Sequence, residues 1–374
     1  MNFDWTEQQL ESKKSIGALF DKDALDELDK LESADVPEIK STILKYMKLL
    51  APSGYLKAAQ GPEGAGESLA LTAAQEEVSQ ASSPLFLAVE ATVRLFGGLV
   101  AGFGSDDLKQ EILNRLAEGE ILAGVGISEA EGQQTTAVER GDAYALNGAK
   151  AFVTNATIAD ELAIFGTVDD KHAFFVIQSE AEGVNIGPKL ETLGYRGLAV
   201  SSVELVNVEV PKSRVLGPFD DSAALDYIRM VEAMVLTQAS IGLSRRLLNT
   251  ATAYAKEYKR GGRQIIKYQE IGFKLAELLT LVQTAEWMGR RAAWLVEKGD
   301  SEAATVANCA KVFSAESAEF VASAAMQIFA GAGYISGNIV ERGYRDAKYA
   351  SLAGLSNEVS RMTIADDILK RYQI

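Results

Sequence analysis

One carboxylate in an apolar stretch of a long predicted helix is the first candidate for chemistry. Glu232 lies in residues 230–236, where all six of its neighbours are apolar. Apolar surroundings raise the pKa of a carboxyl group, and such a carboxylate can act as a base toward a carbon acid. Arg229, three residues earlier, allows the alternative of an ion pair on a solvated helix face. Composition alone favours the ion pair.

Two glycine-bearing breaks are further candidates for ligand binding. Residues 258–263 read Tyr-Lys-Arg-Gly-Gly-Arg, and the surrounding segment 245–298 carries 11 Lys or Arg against 5 Asp or Glu. A basic break that opens a helix at Gln264 could hold a phosphate, whereas the alternative is a solvated basic face and an interhelical turn. Residues 327–334 end a predicted helix in two glycines, which allow either a helix C-cap or close backbone approach to a ligand.

Composition narrows the function classes. The chain has one histidine, His172, and one cysteine, Cys309, so a Ser-His-Asp unit would need His172 and a Cys/His zinc site lacks ligands. We expect no metal site and no internal disulfide. The net charge of −15 argues against broad binding to nucleic acid or anionic membranes. The N-terminus is acidic and no apolar run is expected to span a bilayer, so we expect a soluble, cytoplasmic protein with no membrane partner.

The periodicity of apolar residues changes twice along the chain. It predicts helices over residues 1–118, strands over 119–218 and helices over 219–374. This order favours an α+β fold in which a small β domain is inserted between helical layers, over a parallel βαβ sheet. The predicted C-terminal helices cover residues 222–259, 264–298, 302–330 and 356–372, while residues 61–66 form a loop and Ser105 caps a helix.

Turn signals divide the β region. Asn147-Gly148 predicts a hairpin within residues 143–154, because both positions tolerate positive φ. Asp169-Asp170 predicts a second hairpin between residues 161–167 and 173–178. In the strand 200–210 the alternation of apolar residues changes phase, which predicts a bulge near Leu205-Val206.

Several motifs in one order resemble the acyl-CoA dehydrogenase family over essentially the full length. Residues 123–129, Ala-Gly-Val-Gly-Ile-Ser-Glu, are similar to the family's strand that ends in Thr-Glu-Pro. Residues 144–155 resemble its Leu-Asn-Gly-x-Lys-x-Trp-Ile-Thr-Asn motif, and residues 327–347 carry the most specific match. The resemblance implies an N-terminal α-helical domain, a β-barrel-like middle domain and a C-terminal four-helix bundle, assembled as a homotetramer or homodimer.

The resemblance also implies a reaction. The family binds FAD and oxidises an acyl thioester, on CoA or a carrier protein, between Cα and Cβ. A carboxylate takes the α proton, a hydride passes to flavin N5, and an electron-transferring flavoprotein collects the electrons. Such chemistry needs a hydrogen-bonded thioester oxygen and a base of raised pKa.

The position of the base is carried over from two motifs. The family's commonest base position falls on Gly354, which has no side chain to accept a proton. A minority, resembling isovaleryl- and long-chain-type enzymes, places the base on an earlier helix, where this chain has Glu232. The resemblance therefore makes Glu232 the base, and the main-chain N–H of Gly354 a donor to the thioester oxygen.

The motifs carry over a set of residues for FAD as well. These are Ile127, Ser128, Phe152, Thr154, Arg260, Arg263, Gln327, Gly331, Ser356 and Glu358. Tyr258 and Gly261 stand where the family has an Arg and a Phe, respectively, and Arg260 or Arg263 could compensate from nearby. Gln134 or Gln133 stands at the phosphate-binding Ser, for which Thr135 or Thr136 could substitute.

Two alternatives to the dehydrogenase follow from these departures and from the fold. The chain could be a non-catalytic or half-site subunit of a hetero-oligomer whose related subunit supplies the missing arginine. It could also use the same fold as an oxidase or monooxygenase, because a fold does not determine a reaction.

Overall fold

The computed structural model describes residues 4–57 and 68–372. The loop predicted at residues 61–66 lies outside the described residues. The described chain runs from helices through strands back to helices, in the predicted order.

Short helices build the N-terminal part. They are α1 (Glu7–Gly17), α2 (Lys22–Asp29), α3 (Val36–Leu50), α4 (Ser68–Ala81), α5 (Ser83–Glu90), a π-helical segment (Ala91–Phe96), α6 (Gly97–Phe103) and α7 (Asp106–Ala117). Side-chain caps define where several of them begin. The predicted cap at Ser105 is confirmed, because its hydroxyl accepts the N–H of Leu108 at 3.3 Å.

The long apolar helical stretch of this part differs from what we expected from the sequence. Residues Ser83–Phe103 form a continuous helical stretch of 21 residues with a mean hydropathy of 1.6, long and apolar enough to cross a membrane by length and composition. The expectation that no run of this kind exists is therefore wrong. Of its most apolar window, 83% is buried inside the fold, where α3, α4 and the sheet cover it. Burial of this extent fits the core helix of a globular domain.

One eight-stranded sheet forms the middle part. Its strands are β1 (Ala123–Gly126), β2 (Thr136–Arg140), β3 (Ala143–Thr154), β4 (Glu161–Val168), β5 (Lys171–Gln178), β6 (Val184–Ile186), β7 (Val200–Pro211) and β8 (Val215–Phe219). They pair in the order β6-β7-β3-β2-β4-β5-β8, and β1 runs parallel to β4. The division of the chain at residues 118 and 218 stays a proposal.

The hairpin predicted at Asn147-Gly148 is wrong. β3 continues through this dipeptide as one strand of 12 residues, because β7 pairs with the residues of β3 both before and after the dipeptide. The register skips from Leu146↔Val208 to Gly148↔Leu205, and Asn147 Oδ1 accepts the N–H of Asn207 at 2.8 Å. The bulge predicted near residue 205 is thus confirmed. The backbone freedom of Asn147-Gly148, which suggested a turn, instead accommodates this bulge.

The second predicted hairpin is confirmed. β4 and β5 pair in antiparallel register from Glu161↔Gln178 to Val168↔Lys171. The two connecting residues, Asp169 and Asp170, both have positive φ, 47° and 65°. This is the geometry that matches a two-residue turn to the twist of its strands.

Long helices form the C-terminal bundle. They are α8 (Ala223–Glu257), α9 (Gln269–Glu297), α10 (Ala303–Phe329) and α13 (Asn357–Tyr372), with the short α11 (Ile339–Asp346) and α12 (Tyr349–Leu352) before α13. α8, α9 and α10 pack on one another, and α13 packs on α10. Between α8 and α9 the strands β9 (Lys259–Arg260) and β10 (Arg263–Gln264) form a small hairpin, so the next helix begins at Gln269 and not at Gln264.

We predict opposite effects of two glycine-to-alanine changes in the bundle. A Cβ on Gly242 of α8 would lie 2.5 Å from the main-chain carbon of Ser79 on α4, so Gly242→Ala forces the two helices apart. Overpacking of this kind costs about 1–3 kcal/mol. Gly272→Ala on α9 meets nothing within 4 Å and gains about 0.5–1 kcal/mol of helix propensity. Thermal unfolding should place Gly242→Ala below the wild type and Gly272→Ala above it; the reverse order would contradict this packing.

Candidate active site

The Glu232 carboxylate lies directly against Gly354. Gly354 follows α12 with φ +62°, and a Cβ built there would lie 2.6 Å from Glu232 Oε2 and 2.7 Å from its Cδ. The carboxylate therefore occupies the space that a side chain at residue 354 would need. Residues 232 and 354, the two base positions considered from the sequence, therefore direct their side chains into the same space, which has room for only one of them.

Burial determines the protonation of this carboxylate. Desolvation raises the pKa of Glu232 to about 7, against the opposing charges of Lys311 and Arg229. Glu232 forms no hydrogen bond or ion pair within the described residues, so the ion pair with Arg229 that composition favoured is not found there. A carboxyl group of this kind exchanges a proton near neutral pH.

Lys311 holds the loop that carries Gly354. Its side chain on α10 is buried, and its Nζ donates to the carbonyl oxygen of Leu355 at 2.6 Å and to Asn357 Oδ1 at 2.9 Å. Burial lowers the pKa of Lys311 to about 8, and its charge acts on Glu232. Sequence reasoning missed Lys311, although a lysine among the small buried residues of α10 was a visible signal.

Tyr349 connects the helical bundle to the sheet. A hydrogen bond links its hydroxyl to the side chain of Thr154 at the end of β3, and burial raises its pKa to about 12. Its ring packs edge-on against Tyr195 with centroids 5.2 Å apart. The negative charge of Glu232 also contributes to raising the pKa of Tyr349. Sequence reasoning missed Tyr349 as well, because nothing local indicates a partner nearly 200 residues away.

Residues expected at the flavin ring lie side by side. Phe152 and Thr154 alternate along β3, and the Phe152 ring is 68% exposed, unusual for a large apolar side chain. The carbonyl oxygen of Ser128 accepts the N–H of Ala151 at 3.0 Å, and that of Ile127 accepts Lys150 Nζ at 3.2 Å. An exposed aromatic ring on the strand that also carries Thr154 fits a flat, partly polar ring system such as a flavin.

The hydroxyl of Thr135 is committed within the chain. It donates to Glu129 Oε2 at 2.8 Å, and the N–H of Thr135 donates to Oε1 at 3.2 Å. Glu129 in turn pairs with the fully buried Lys150 at 2.6 Å. Thr135 is therefore not free to replace the phosphate-binding serine, whereas Thr136 and Gln134 are exposed.

The basic hairpin lies next to the end of α10. Tyr258 stacks on Tyr254 at 5.0 Å, and Tyr254 stacks on Phe329 at 3.9 Å. Gln327 and Gly331, which flank Phe329, are exposed. The structure thus brings the hairpin and these two residues into one exposed region.

The two arginines of this hairpin differ. Both are exposed, and Gly261 and Gly262 between them have φ of 57° and 78°. Arg263 Nη2 donates to the carbonyl oxygen of Lys267 at 2.8 Å, and its guanidinium lies over the Tyr268 ring. The side chain of Arg260 forms no ion pair within the described residues, so it is the freer of the two for a phosphate.

Ser356 and Glu358 lie at the start of α13. The Ser356 hydroxyl accepts the N–H of Val359 at 3.4 Å, and main-chain and Ser356 hydrogen bonds lower the pKa of the exposed Glu358. Ser356 lies two residues after Gly354 in the loop that Lys311 anchors, and Glu358 lies in the first turn of α13. They adjoin the Glu232 site, whereas no hydrogen bond joins the Arg260 hairpin to that site in the described part of the chain.

Family comparisons cover nearly the whole chain. Residues 6–120, 123–208 and 225–369 match the N-terminal, middle and C-terminal domain models of acyl-CoA dehydrogenases. A 3-(aryl)acrylate reductase of Clostridium sporogenes is 32% identical over 361 residues, which cover 92% of this chain and 93% of that protein. The CarC subunit of the caffeyl-CoA reductase–Etf complex of Acetobacterium woodii is 29% identical over 319 residues, 82% of this chain and 83% of that protein.

A solved structure agrees with these matches. Butyryl-CoA dehydrogenase from Megasphaera elsdenii superposes with a TM-score of 0.89 at 25% identity, over 99% of this chain and 100% of that one. The order of helical, sheet and helical parts is therefore the three-domain fold of these enzymes. On its fold and its sequence together, the chain belongs to the acyl-CoA dehydrogenase family.

Proposed function

We propose that this chain catalyses proton and hydride transfer between Cα and Cβ of an acyl thioester, with Glu232 as the base. The family consists of FAD-binding oxidoreductases that act on CH–CH groups, and FAD is the cofactor of this chain. When bound, FAD supplies the hydride acceptor at N5. The observation that supports the proposal is the half-buried Glu232 carboxylate held against Gly354.

Glu232 and the residues near it can together remove an α proton and stabilise the charge that develops. A base with a pKa of about 7 is partly ionised at neutral pH and is a stronger proton acceptor than an ordinary carboxylate. As negative charge develops on the thioester oxygen, the N–H of Gly354 can donate to it. Phe152 provides an apolar wall, while Thr154 and Ser128 offer hydroxyl groups beside it.

The same groups serve the reverse direction. Two relatives are named as reductases, of a 3-(aryl)acrylate and of caffeyl-CoA. In that direction a protonated Glu232 returns the proton to Cα, and a pKa of about 7 suits a group that must both take and give a proton. The likeness to a subunit of an Etf complex supports an electron-transferring flavoprotein as the redox partner. The homotetramer or homodimer and the cytoplasmic location stay predictions.

Glu232→Gln tests the base directly. The variant keeps the size and burial of the side chain but cannot accept a proton, so anaerobic bleaching of the flavin by acyl-CoA should slow by about 100- to 10,000-fold. The flavin content should not change. Glu277→Gln, an exposed position on α9, is the matched control and should bleach like the wild type. Undiminished bleaching in Glu232→Gln would rule out Glu232 as the base.

We also predict that Glu232→Gln raises the free energy of unfolding, and that this gain grows with pH. The carboxyl of Glu232 has a usual pKa of 4.5 when unfolded and about 7 when folded, so its contribution to stability is full below pH 4.5 and is lost as pH rises through 7. Glu232→Gln avoids this loss. The two proteins should differ by less than about 1 kcal/mol at pH 5 and by about 3 kcal/mol in favour of the variant at pH 8.5. Urea unfolding at both pH values measures this, and a constant difference would contradict a raised pKa.

A half-site subunit is the second candidate, and Tyr258 is the observation behind it. Its ring stacks within its own chain, so no guanidinium extends from this position toward a neighbouring subunit. If Arg260 and Arg263 do not compensate, the lone chain should purify with less than one FAD per chain, and a related subunit should restore it. An absorbance spectrum showing one FAD per chain in the lone protein would contradict the half-site candidate.

A further inference from the structure

A charged side chain of β3 is buried beside the residues expected to hold the flavin ring. Lys150 is 0% exposed, although it lies only two residues before Phe152 and four before Thr154. A lysine is almost never fully buried unless its charge is paired and its N–H groups have acceptors. The partners of Lys150 therefore indicate what its charge does in this fold.

The ammonium group of Lys150 has three partners. Its Nζ lies 2.6 Å from Glu129 Oε1, donates to the carbonyl oxygen of Ile127 at 3.2 Å, and lies 5.7 Å from the centre of the Phe165 ring. Glu129 and Ile127 belong to the connection between β1 and β2, residues 127–135, which we call the β1–β2 loop. The ammonium group thus joins β3 to this loop on both sides of Ser128.

Glu129 extends this link to the end of the β1–β2 loop. Its Oε2 accepts the hydroxyl of Thr135 at 2.8 Å, and its Oε1 accepts the main-chain N–H of Thr135 at 3.2 Å. Thr135 is 2% exposed and packs against Gly148 of β3, where a Cβ would lie 2.6 Å from the Thr135 Cα. Both ends of the loop are therefore held against β3, with the Glu129 carboxylate between them.

The buried charge is not needed merely to attach the loop to the strand. The N–H of Ala151 donates to the carbonyl oxygen of Ser128, and the N–H of Ala130 donates to that of Ala149, both at 3.0 Å. Burial lowers the pKa of Lys150 against the opposing effect of Glu129, so keeping the charge there reduces stability. An apolar side chain of similar length could fill the same space without this cost. A costly charged group next to a ligand site often serves the ligand more than the fold.

We infer that Lys150 is a positioning residue for the flavin, because its contacts with the β1–β2 loop fix Ser128 relative to Phe152. This rests on the proposed place of the flavin, beside Ser128, Phe152 and Thr154. A cofactor that binds between a loop and a strand binds more tightly when both are already ordered, since ordering the loop on binding would cost affinity. Lys150 provides this order before FAD binds.

Lys150→Met tests the inference without turnover. Methionine fills the buried space without a charge, so the protein should still fold. The dissociation constant of FAD, measured from the fluorescence of flavin released on dilution of the holoprotein, should rise about 10-fold, as for the loss of one well-placed hydrogen bond. At saturating FAD, the visible circular dichroism of the bound flavin should also change, because the groups around its ring shift. An unchanged dissociation constant and an unchanged spectrum would overturn the inference.

Two variants of β5 are the controls, because this strand lies three strands away from β3 in the sheet. Lys171→Met removes a lysine and its ion pair with Asp220 from the surface, and Ile177→Val removes a methyl group's worth of buried core. The first matches the loss of charge, and the second lowers the melting temperature at a distance from the β1–β2 loop. Both should keep the FAD affinity and the flavin spectrum of the wild type. If Ile177→Val weakens FAD binding as much as Lys150→Met does, the effect of Lys150 is one of stability and the inference is overturned.

A combination with Ser128→Ala tests the route of the effect. If Lys150 acts by holding Ser128 in place, Lys150→Met with Ser128→Ala should weaken FAD binding little more than Lys150→Met alone. Effects that multiply would show that the two residues act independently, which overturns the inference.

Thr135→Val is a second variant that leaves the buried ion pair intact. It removes the hydroxyl that donates to Glu129, so FAD binding should weaken in the same direction by a smaller factor. This variant keeps the inference testable if Lys150→Met does not fold, and unchanged FAD binding in Thr135→Val would then overturn it.

The same measurements separate this inference from the proposed function. If Ser128→Ala and Phe152→Ala leave FAD binding and the flavin spectrum unchanged, the proposed place of the flavin is wrong and the inference fails with it. If these two variants change the spectrum while Lys150→Met does not, only the inference about Lys150 fails. The test of Glu232 as the base is independent of both results, because bleaching is measured with FAD already bound.

Discussion

The contact between the Glu232 carboxylate and the α carbon of Gly354 constrains the rest of the site. It needs a residue without Cβ at positive φ and a helix that brings a carboxylate to that point. Partial burial of the carboxylate also stabilises its neutral acid form. The carboxylate that we propose as the base is therefore a group that the fold holds at a cost in stability.

Other parts of the chain maintain this contact from three directions. Lys311 fixes the loop after Gly354 through two hydrogen bonds, and the long α8 places Glu232 opposite it. The hydrogen bond between Tyr349 and Thr154 ties the bundle that carries Glu232 to the strand β3 that carries the exposed Phe152 ring. The sheet contributes Thr154 and Phe152, and the bundle contributes Glu232 and Tyr349, so both parts are needed to form the site.

Sequence reasoning was most successful where the signal was local and repeated. The long helices of the bundle and the turn at Asp169 followed from periodicity and turn chemistry. It failed at Asn147, because hydrogen bonding to a strand about 60 residues away keeps this dipeptide extended despite its strong preference for a turn. Resemblance led to the prediction that Glu232 is the base, whereas its contact with the space beside Gly354 required coordinates. Tyr349 depends on a partner from a distant segment, which no local pattern encodes.

The missing Cβ of residue 354 also restricts how this enzyme can change over generations. A glutamate introduced at Gly354 while Glu232 is present would be forced into occupied space, and loss of Glu232 alone would leave no proton acceptor there. Each single step toward the commoner arrangement thus passes through a damaged protein. Because changing either residue alone is unfavourable, we expect related proteins that have one residue of this pair to have the other as well.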